Sequence, residues 1–241
     1  MVTHTSAPQK LYLMQVASLS MPEVTPKPVP IPCYLIQMSD GRHILIDSGF
    51  SKEPPPWPGI QMHNNVVEQL ALLGLQPSDI DILICTHFDG DHCGQHDEFP
   101  NAQLVVQREH YEVAHAGHQR FAATRPHWDL PASRYRFVDG DTELLPGLEL
   151  IETGGHVPGH QSVLVRLPTT GPVLLTIDAV ANQLQFRPNR RGGPMDLDGE
   201  KAIASTRKLL DLVQREHVDL TIFGHDAAQW ETLKKLPQYY Q

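Results

Sequence analysis

Ile82-Leu-Ile-Cys-Thr-His-Phe-Asp-Gly-Asp-His-Cys-Gly94 is the stretch on which the reading of this chain turns. Its opening apolar run has the length and composition of a buried strand. Directly after it stand His87, Asp89, Asp91 and His92, four potential metal ligands within six residues. Gly90 and Gly94 are expected to let the backbone fold tightly, so that these side chains converge. Imidazole and carboxylate ligands must come within ~2.0–2.2 Å of a zinc-like ion, and only convergence achieves that.

Three other strands end the same way. Thr153-Gly-Gly-His-Val-Pro-Gly-His160 follows a β-rich run over 148–152 and sets His156 and His160 four residues apart. Leu174-Leu-Thr-Ile-Asp178 ends an apolar run on a carboxylate, and Leu220-Thr-Ile-Phe-Gly-His225 ends one on an imidazole. Each alone reads as an ordinary turn or cap. Together they point to one site at strand ends, where loops can be shaped without disturbing the core. The chain carries 14 His against six Tyr and three Trp, which fits metal or proton chemistry.

Around these motifs, strands are expected over 11–16, 33–37, 43–47, 80–85, 104–106, 136–138, 162–167, 173–177 and 219–223. Helices are expected over 64–75, 108–118 and 198–215, with a short one from 227. In the third, Asp198 caps the start, and Ile203, Leu209, Leu210 and Leu212 or Val213 form the inner face. The proline-marked stretches 22–32 and 54–58 read as loops. Early strands follow one another directly, whereas later ones alternate with helices. That order predicts two mixed sheets packed together with helices outside, in one domain over 1–241.

The 241 residues can bury a core without disulfides, and the three cysteines show no CxxC spacing. A reducing, cytoplasmic setting follows, consistent with the N-terminal MVTHTSAPQK lacking the pattern of an export signal. A net charge of −9 argues against nucleic acid as a partner. No apolar run has the ~18–20 residues of a membrane span.

The order His87-x-Asp-x-Asp-His92, then Gly-His156, Ile-Asp178 and Gly-His225, resembles the metallo-β-lactamase-fold hydrolases. Within them it is most similar to the N-acyl homoserine lactonase branch, on Pro32-Cys-Tyr-Leu, Gly155-His-Val-Pro-Gly-His-Gln-Ser162 and Phe223-Gly-His-Asp226. The resemblance implies an α/β (α+β) fold, an αββα sandwich of two mixed sheets with a dinuclear metal site at one edge. It implies that His87, position 89 and His156 hold one ion, that Asp91, His92 and His225 hold a second, and that Asp178 bridges them. Asp47 would orient a ligand imidazole, and His160 would lie close by without ligating. The implied cofactors are two divalent ions, zinc first, with manganese or iron admitted by the harder Asp89 ligand. The implied reaction is attack by a metal-bridging hydroxide on a lactone or related carboxylic ester, with Asp91 carrying a proton to the leaving group. The partner would be a small-molecule substrate, and the family suggests a homodimer.

Two positions depart from the pattern. Asp89 replaces a histidine. In the family that imidazole binds through Nδ1, two bonds beyond Cβ, and an Asp oxygen is also two bonds beyond Cβ. Two dications would then face three ligand carboxylates and a hydroxide, a formally neutral centre and a weaker Lewis acid. Alternatively, the first site is weak or empty. Ala181 stands where homoserine lactonases carry an oxyanion-binding Tyr, leaving Tyr34, Tyr111 or Tyr135 to reach the site. Phe121 and Trp128 are candidate pocket walls, Phe186 and Arg187 candidate substrate contacts, and Cys93 a small buried residue. Competing readings are a thioesterase of the hydroxyacylglutathione type, a phosphodiesterase, or a non-catalytic metal-binding or ligand-binding protein. A β-lactamase role is disfavoured by the missing export signal.

Overall fold

The computed structural model describes residues 6–23, 25–53 and 56–241. One sheet has seven strands in the order β4-β1-β2-β3-β5-β6-β7. These are β1 (Pro8–Leu19), β2 (Val29–Met38), β3 (His43–Ile46), β4 (Ile60–Met62), β5 (Ile82–Ile84), β6 (Gln103–Gln107) and β7 (Tyr135–Val138). The other has five, ordered β12-β11-β10-β9-β8, from β8 (Thr142–Leu145), β9 (Leu148–Glu152), β10 (Gln161–Leu167), β11 (Gly171–Leu175) and β12 (Leu220–Ile222). Among the described residues six α-helices accompany them: α1 (Val66–Ala71), α2 (Gly90–Cys93), α3 (Arg108–His115), α4 (Arg125–Trp128), α5 (Gly199–Arg215) and α6 (Ala227–Thr232). Among the described residues no helix is long and apolar enough to cross a membrane.

Strand alternation builds three apolar layers. Ile44, Ile46, Ile82 and Ile84 join Leu150, Val163, Val165 and Leu175 between the sheets. Leu45, Leu83 and Leu104 face outward to Val66, Leu70, Ala114 and Trp128. Leu164 and Leu174 face Leu209 and Leu212 of α5. Strands covered on both faces need apolar residues at every position, which is why runs such as Ile82–Ile84 do not alternate with polar residues. The layers are those expected from the sequence.

The proline stretch over 22–32 divides. Val24 lies outside the described residues, and from Val29 the chain is strand, not loop. Pro30 and Pro32 pair with β1 opposite Ser18 and Gln15, while β3 pairs only from Tyr34 onward. The prolines therefore sit where β2 has a free edge and no ladder N–H is required. Of the 54–58 loop, residues 54 and 55 lie outside the described residues, as do residues 1–5 of the N-terminal segment.

Helix α1 is shorter than the expected 64–75. Asn65 and Glu68 form a reciprocal capping box at its start, and Gly74 turns away at φ 75°. Helix α5 is capped by Asp198 as expected, but buries Ala202, Ser205, Thr206, Leu209 and Leu212, leaving Ile203 and Leu210 half-buried. Its first turns lie against the 153–160 loop, with Ser205 Oγ donating to Gly154 O at 2.6 Å. Only small side chains fit that contact. The half-exposed strands β4 and β8 carry too little apolar signal to be read from sequence.

Candidate metal centre

The C-terminal ends of β3, β5, β9, β11 and β12 deliver side chains to one edge of the sandwich. Two strands are bent hard to do so. Asp47, after β3, has φ 59°, and Ile177, before Asp178, has φ 51°, which is costly for a β-branched residue. Gly224 is required by close approach. A Cβ there would come 2.5 Å from Ile177 O, so the His225 and Asp178 loops could not pack together. Gly94 is required for the same reason, since a Cβ would meet Ser51 N at 2.1 Å. Gly90 has room for a side chain, contrary to the expectation for both glycines of that loop.

Two ligand sets result. In the first, Asp89 Oδ2 lies 3.4 Å from His87 Nε2 and 3.1 Å from His156 Nε2. Asp178 Oδ2 closes the set at 3.8 and 3.3 Å from the same two nitrogens. In the second, Asp91 Oδ2 lies 3.6 Å from His92 Nε2 and 3.7 Å from His225 Nε2. Asp178 Oδ1 closes this one at 3.5 and 2.9 Å. Tetrahedral ligands ~2.0–2.2 Å from an ion stand about 3.3–3.6 Å from one another. The distances within the two sets, 2.9–3.8 Å, bracket that spacing, and Asp178 gives one oxygen to each. His87 Nε2, His92 Nε2 and Asp178 Oδ1 are buried without a hydrogen-bond partner. Orphaned buried polar atoms are expensive unless something such as an ion satisfies them. These residues fit a pair of divalent cations.

The surroundings turn the imidazoles inward. Asp47, fully buried, accepts from Thr86 N at 2.9 Å, from Thr86 Oγ1 at 2.7 Å and from His92 Nδ1 at 2.8 Å. Thr86 Oγ1 in turn accepts from His87 Nδ1 at 3.0 Å. His225 Nδ1 donates to Pro30 O at 2.8 Å. Each bond leaves an Nε2 lone pair facing the centre. His160 stays out of both sets. Its Nε2 accepts from Asp178 N at 3.2 Å and its Nδ1 pairs with Thr153 Oγ1 at 2.8 Å, which positions the bridging loop. Burial and the neighbouring His92 push the His87 pKa down to about 3. For His156, burial opposes the charged form but Asp178, Asp196 and Asp89 outweigh it, raising the pKa to about 9.

Three residues of the centre were not legible as such. Arg120 grips Asp89 in a fork, Nε to Oδ1 at 2.7 Å and Nη2 to Oδ2 at 2.5 Å. Asp196 Oδ1 lies 3.6 Å from His156 Nδ1, and Arg190, buried, donates to Asp196 Oδ2 at 2.8 Å. Arg190 thus ties the loop over residues 183–195 to ligand His156 through Asp196, whereas Arg187 is exposed. Only proximity in space marks these three.

The aromatic candidates are placed elsewhere. Trp128 is fully buried, stacked on Phe88 with centroids 5.0 Å apart, and Phe121 is buried against His110. Both support the ligand loop from beneath and offer no wall to a substrate. Phe186 packs edge-on to Phe223. Tyr135 donates to Trp128 O and Tyr111 stacks on His115, so neither supplies the phenol missing at Ala181, while Tyr34 is buried between the sheets with its hydroxyl unpartnered. Cys93 is buried, its Sγ donating to Phe88 O.

With this geometry in place, a family model described as metallo-beta-lactamase superfamily matches residues 26–225. The chain belongs to that superfamily. Among curated members it is similar to an N-acyl homoserine lactonase of a Bacillus species, 32% identical over 225 residues, covering 88% of this chain and 87% of the relative. It is similar also to the N-acyl homoserine lactonase AttM of Rhizobium johnstonii, 32% identical over 234 residues and 88% of both chains. Among solved superfamily members, a quorum-quenching N-acyl homoserine lactone lactonase superposes with TM-score 0.85 at 29% identity, covering 97% and 99% of the two chains. A further one, with N-hexanoyl-L-homoserine bound at its catalytic metal centre, gives 0.82 at 28% identity, covering 97% and 100%.

Proposed function

We propose that this chain hydrolyses N-acyl homoserine lactones, or lactones closely related to them, at a centre of two divalent ions held by His87, Asp89, Asp91, His92, His156, Asp178 and His225. The observation that carries the reading is the pair of ligand sets sharing the two oxygens of Asp178. The relatives' activity supports it. Zinc is the first candidate, with manganese or iron next. When bound, such ions lower the pKa of a water and polarise a carbonyl.

The chain's own residues supply the rest. Asp178 fixes the spacing of the two sets through one rigid carboxylate. Asp91 is the most open ligand, its side chain 19% exposed against 2% for His92. That openness supports its holding a proton and returning it to a leaving alkoxide. Exposed Met195 and Leu197 flank the centre: Met195 O accepts from Arg120 Nη1 and Leu197 N donates to His156 O. They offer an apolar rim for an acyl chain. Three buried free cysteines support the reducing, cytoplasmic setting, and one catalytic domain acting on a small molecule, as a homodimer, completes the reading.

The test is a panel of N-acyl homoserine lactones set against a hydroxyacylglutathione-type thioester and a phosphodiester, on protein loaded with two ions. The expected result is kcat/KM for a lactone at least 100-fold above either comparison. Preference for the thioester or phosphodiester overturns the substrate assignment. Asp91→Asn should keep about two ions and lose roughly 10²–10⁴-fold in turnover. Unchanged turnover removes Asp91 from proton transfer.

A further inference from the structure

Replacing a histidine ligand by Asp89 should make the centre more negative by one charge. The structure shows what offsets it. Arg120 lies on the segment after α3, where Phe121 is buried in the core and fixes the position of its neighbour. Thr124 Oγ1 and Trp128 Nε1 strap that segment down, Thr124 donating to Phe88 O at 2.8 Å and Trp128 to Phe121 O at 3.1 Å. Phe88 lies between ligands His87 and Asp89. The guanidinium is therefore held by the same packing that holds the ligand loop.

All three of its nitrogens are engaged. Nε and Nη2 take the two oxygens of Asp89, and Nη1 donates to Met195 O at 2.7 Å. The side chain is 16% exposed. Nη2 also lies 2.8 Å from His156 Nε2. Among the described residues, however, the guanidinium pairs with Asp89 and not with Asp178, so it stands against the Asp89–His156 edge and outside the ligand set. A planar fork of this kind is specific to arginine.

We infer that Asp89 and Arg120 act together as one neutral ligand, the electrostatic equivalent of the imidazole that the family places at position 89. The inference rests on the metal-centre reading above and deepens it. Asp89 supplies the ligand oxygen, and Arg120, a positioning residue, cancels its charge and fixes its rotamer. The formal charge of the centre returns to that of a histidine-ligated one, and its Lewis acidity is restored.

Charge alone orders four proteins by affinity for the first ion. Arg120→Met leaves a net negative ligand and should bind most tightly. Wild type and the double variant Asp89→His/Arg120→Met carry a neutral ligand and should bind alike. Asp89→His alone leaves a cation beside a dication and should bind most weakly. Competition with a chromophoric zinc chelator reads this directly, the relevant step being the one that moves with Asp89→His. Each change of one charge is expected to shift affinity at least tenfold, because the groups lie close together and away from bulk water. Arg120→Lys, which keeps the charge but loses the fork, should stay closer to wild type than Arg120→Met does.

An arginine that merely props the loop gives another order. Arg120→Met would then loosen the ion whether residue 89 is Asp or His, and that result, or equal affinity in all four proteins, overturns the inference. Uptake of no ion by any of them overturns the metal-centre reading and this inference with it. Two ions bound without the predicted order overturns the inference alone.

Discussion

Asp47→Asn changes a single atom in the buried scaffold beneath the centre. Asparagine tolerates the left-handed backbone at φ 59°, so the turn itself should survive. The carboxylate accepts three bonds, two from Thr86 and one from His92 Nδ1. An amide has one oxygen, so its NH2 must face either the fixed backbone N–H of Thr86, at the Oδ1 position, or both Thr86 Oγ1 and His92 Nδ1, at the Oδ2 position, where a hydroxyl and an imidazole can each move a proton. The least costly solution turns the amide nitrogen toward His92 and moves that imidazole's proton from Nδ1 to Nε2, which closes the lone pair aimed at the second ligand set. Loss of such an orienting partner typically costs 10–100-fold in metal affinity, or about 1.4–2.7 kcal/mol. Chelator competition should show the second ion weakened by that factor while the first changes little. Nitrogen NMR of the His92 ring should show the proton moved. Wild-type affinity for both ions, with the proton still on Nδ1, would refute the orienting role of Asp47.

Three further predictions concern other parts of the chain. His96 is buried against Ser48 Oγ at 2.7 Å, and burial holds its pKa down at about 3 from an ordinary 6.5. The unfolded chain then binds a proton below pH 6.5 that the folded chain refuses, so stability should fall by about 2–3 kcal/mol between pH 6.5 and 4.5. Urea unfolding across that range checks it, and a slope that His96→Gln does not reduce speaks against it. His156, raised to about 9, holds its proton at pH 7, so ion binding should release at least one proton, read by calorimetry in buffers of different ionisation enthalpy. Zero release would contradict the assignment of His156 as a ligand. Gly94→Ala drives a Cβ into Ser51 N, Phe50 C and Gly49 O, all backbone, and should cost more than 3 kcal/mol or prevent folding. A melting temperature within a few degrees of wild type would show that the loops can part.

Much of the centre is legible in the order of residues along the chain. Ligand residues lie at the ends of apolar runs, and a strand's end is a local property of the chain. His87, Asp91 and His92 share one short segment, so their convergence needs little more than a turn. The apolar runs Ile44–Ile46 and Ile82–Cys85 signal strands covered on both faces because burial acts on every residue of such a strand. What the chain pattern alone specifies is therefore the layers, the edge where the loops gather and the ligand types found there.

Tertiary structure decided the rest, because it depends on atoms far apart in sequence. Pro30 reads as a loop breaker, yet lies in a strand and holds His225 from 195 residues away. Phe121 and Trp128 look like pocket aromatics because composition cannot tell a wall from a foundation; only the packing beneath Phe88 makes them the latter. Asp89 in sequence is a carboxylate with one charge too many. Arg120, 31 residues on and one of several arginines in that region, becomes its partner only through the fold. Charge compensation acts through space over a few ångströms, and no spacing along the chain encodes it.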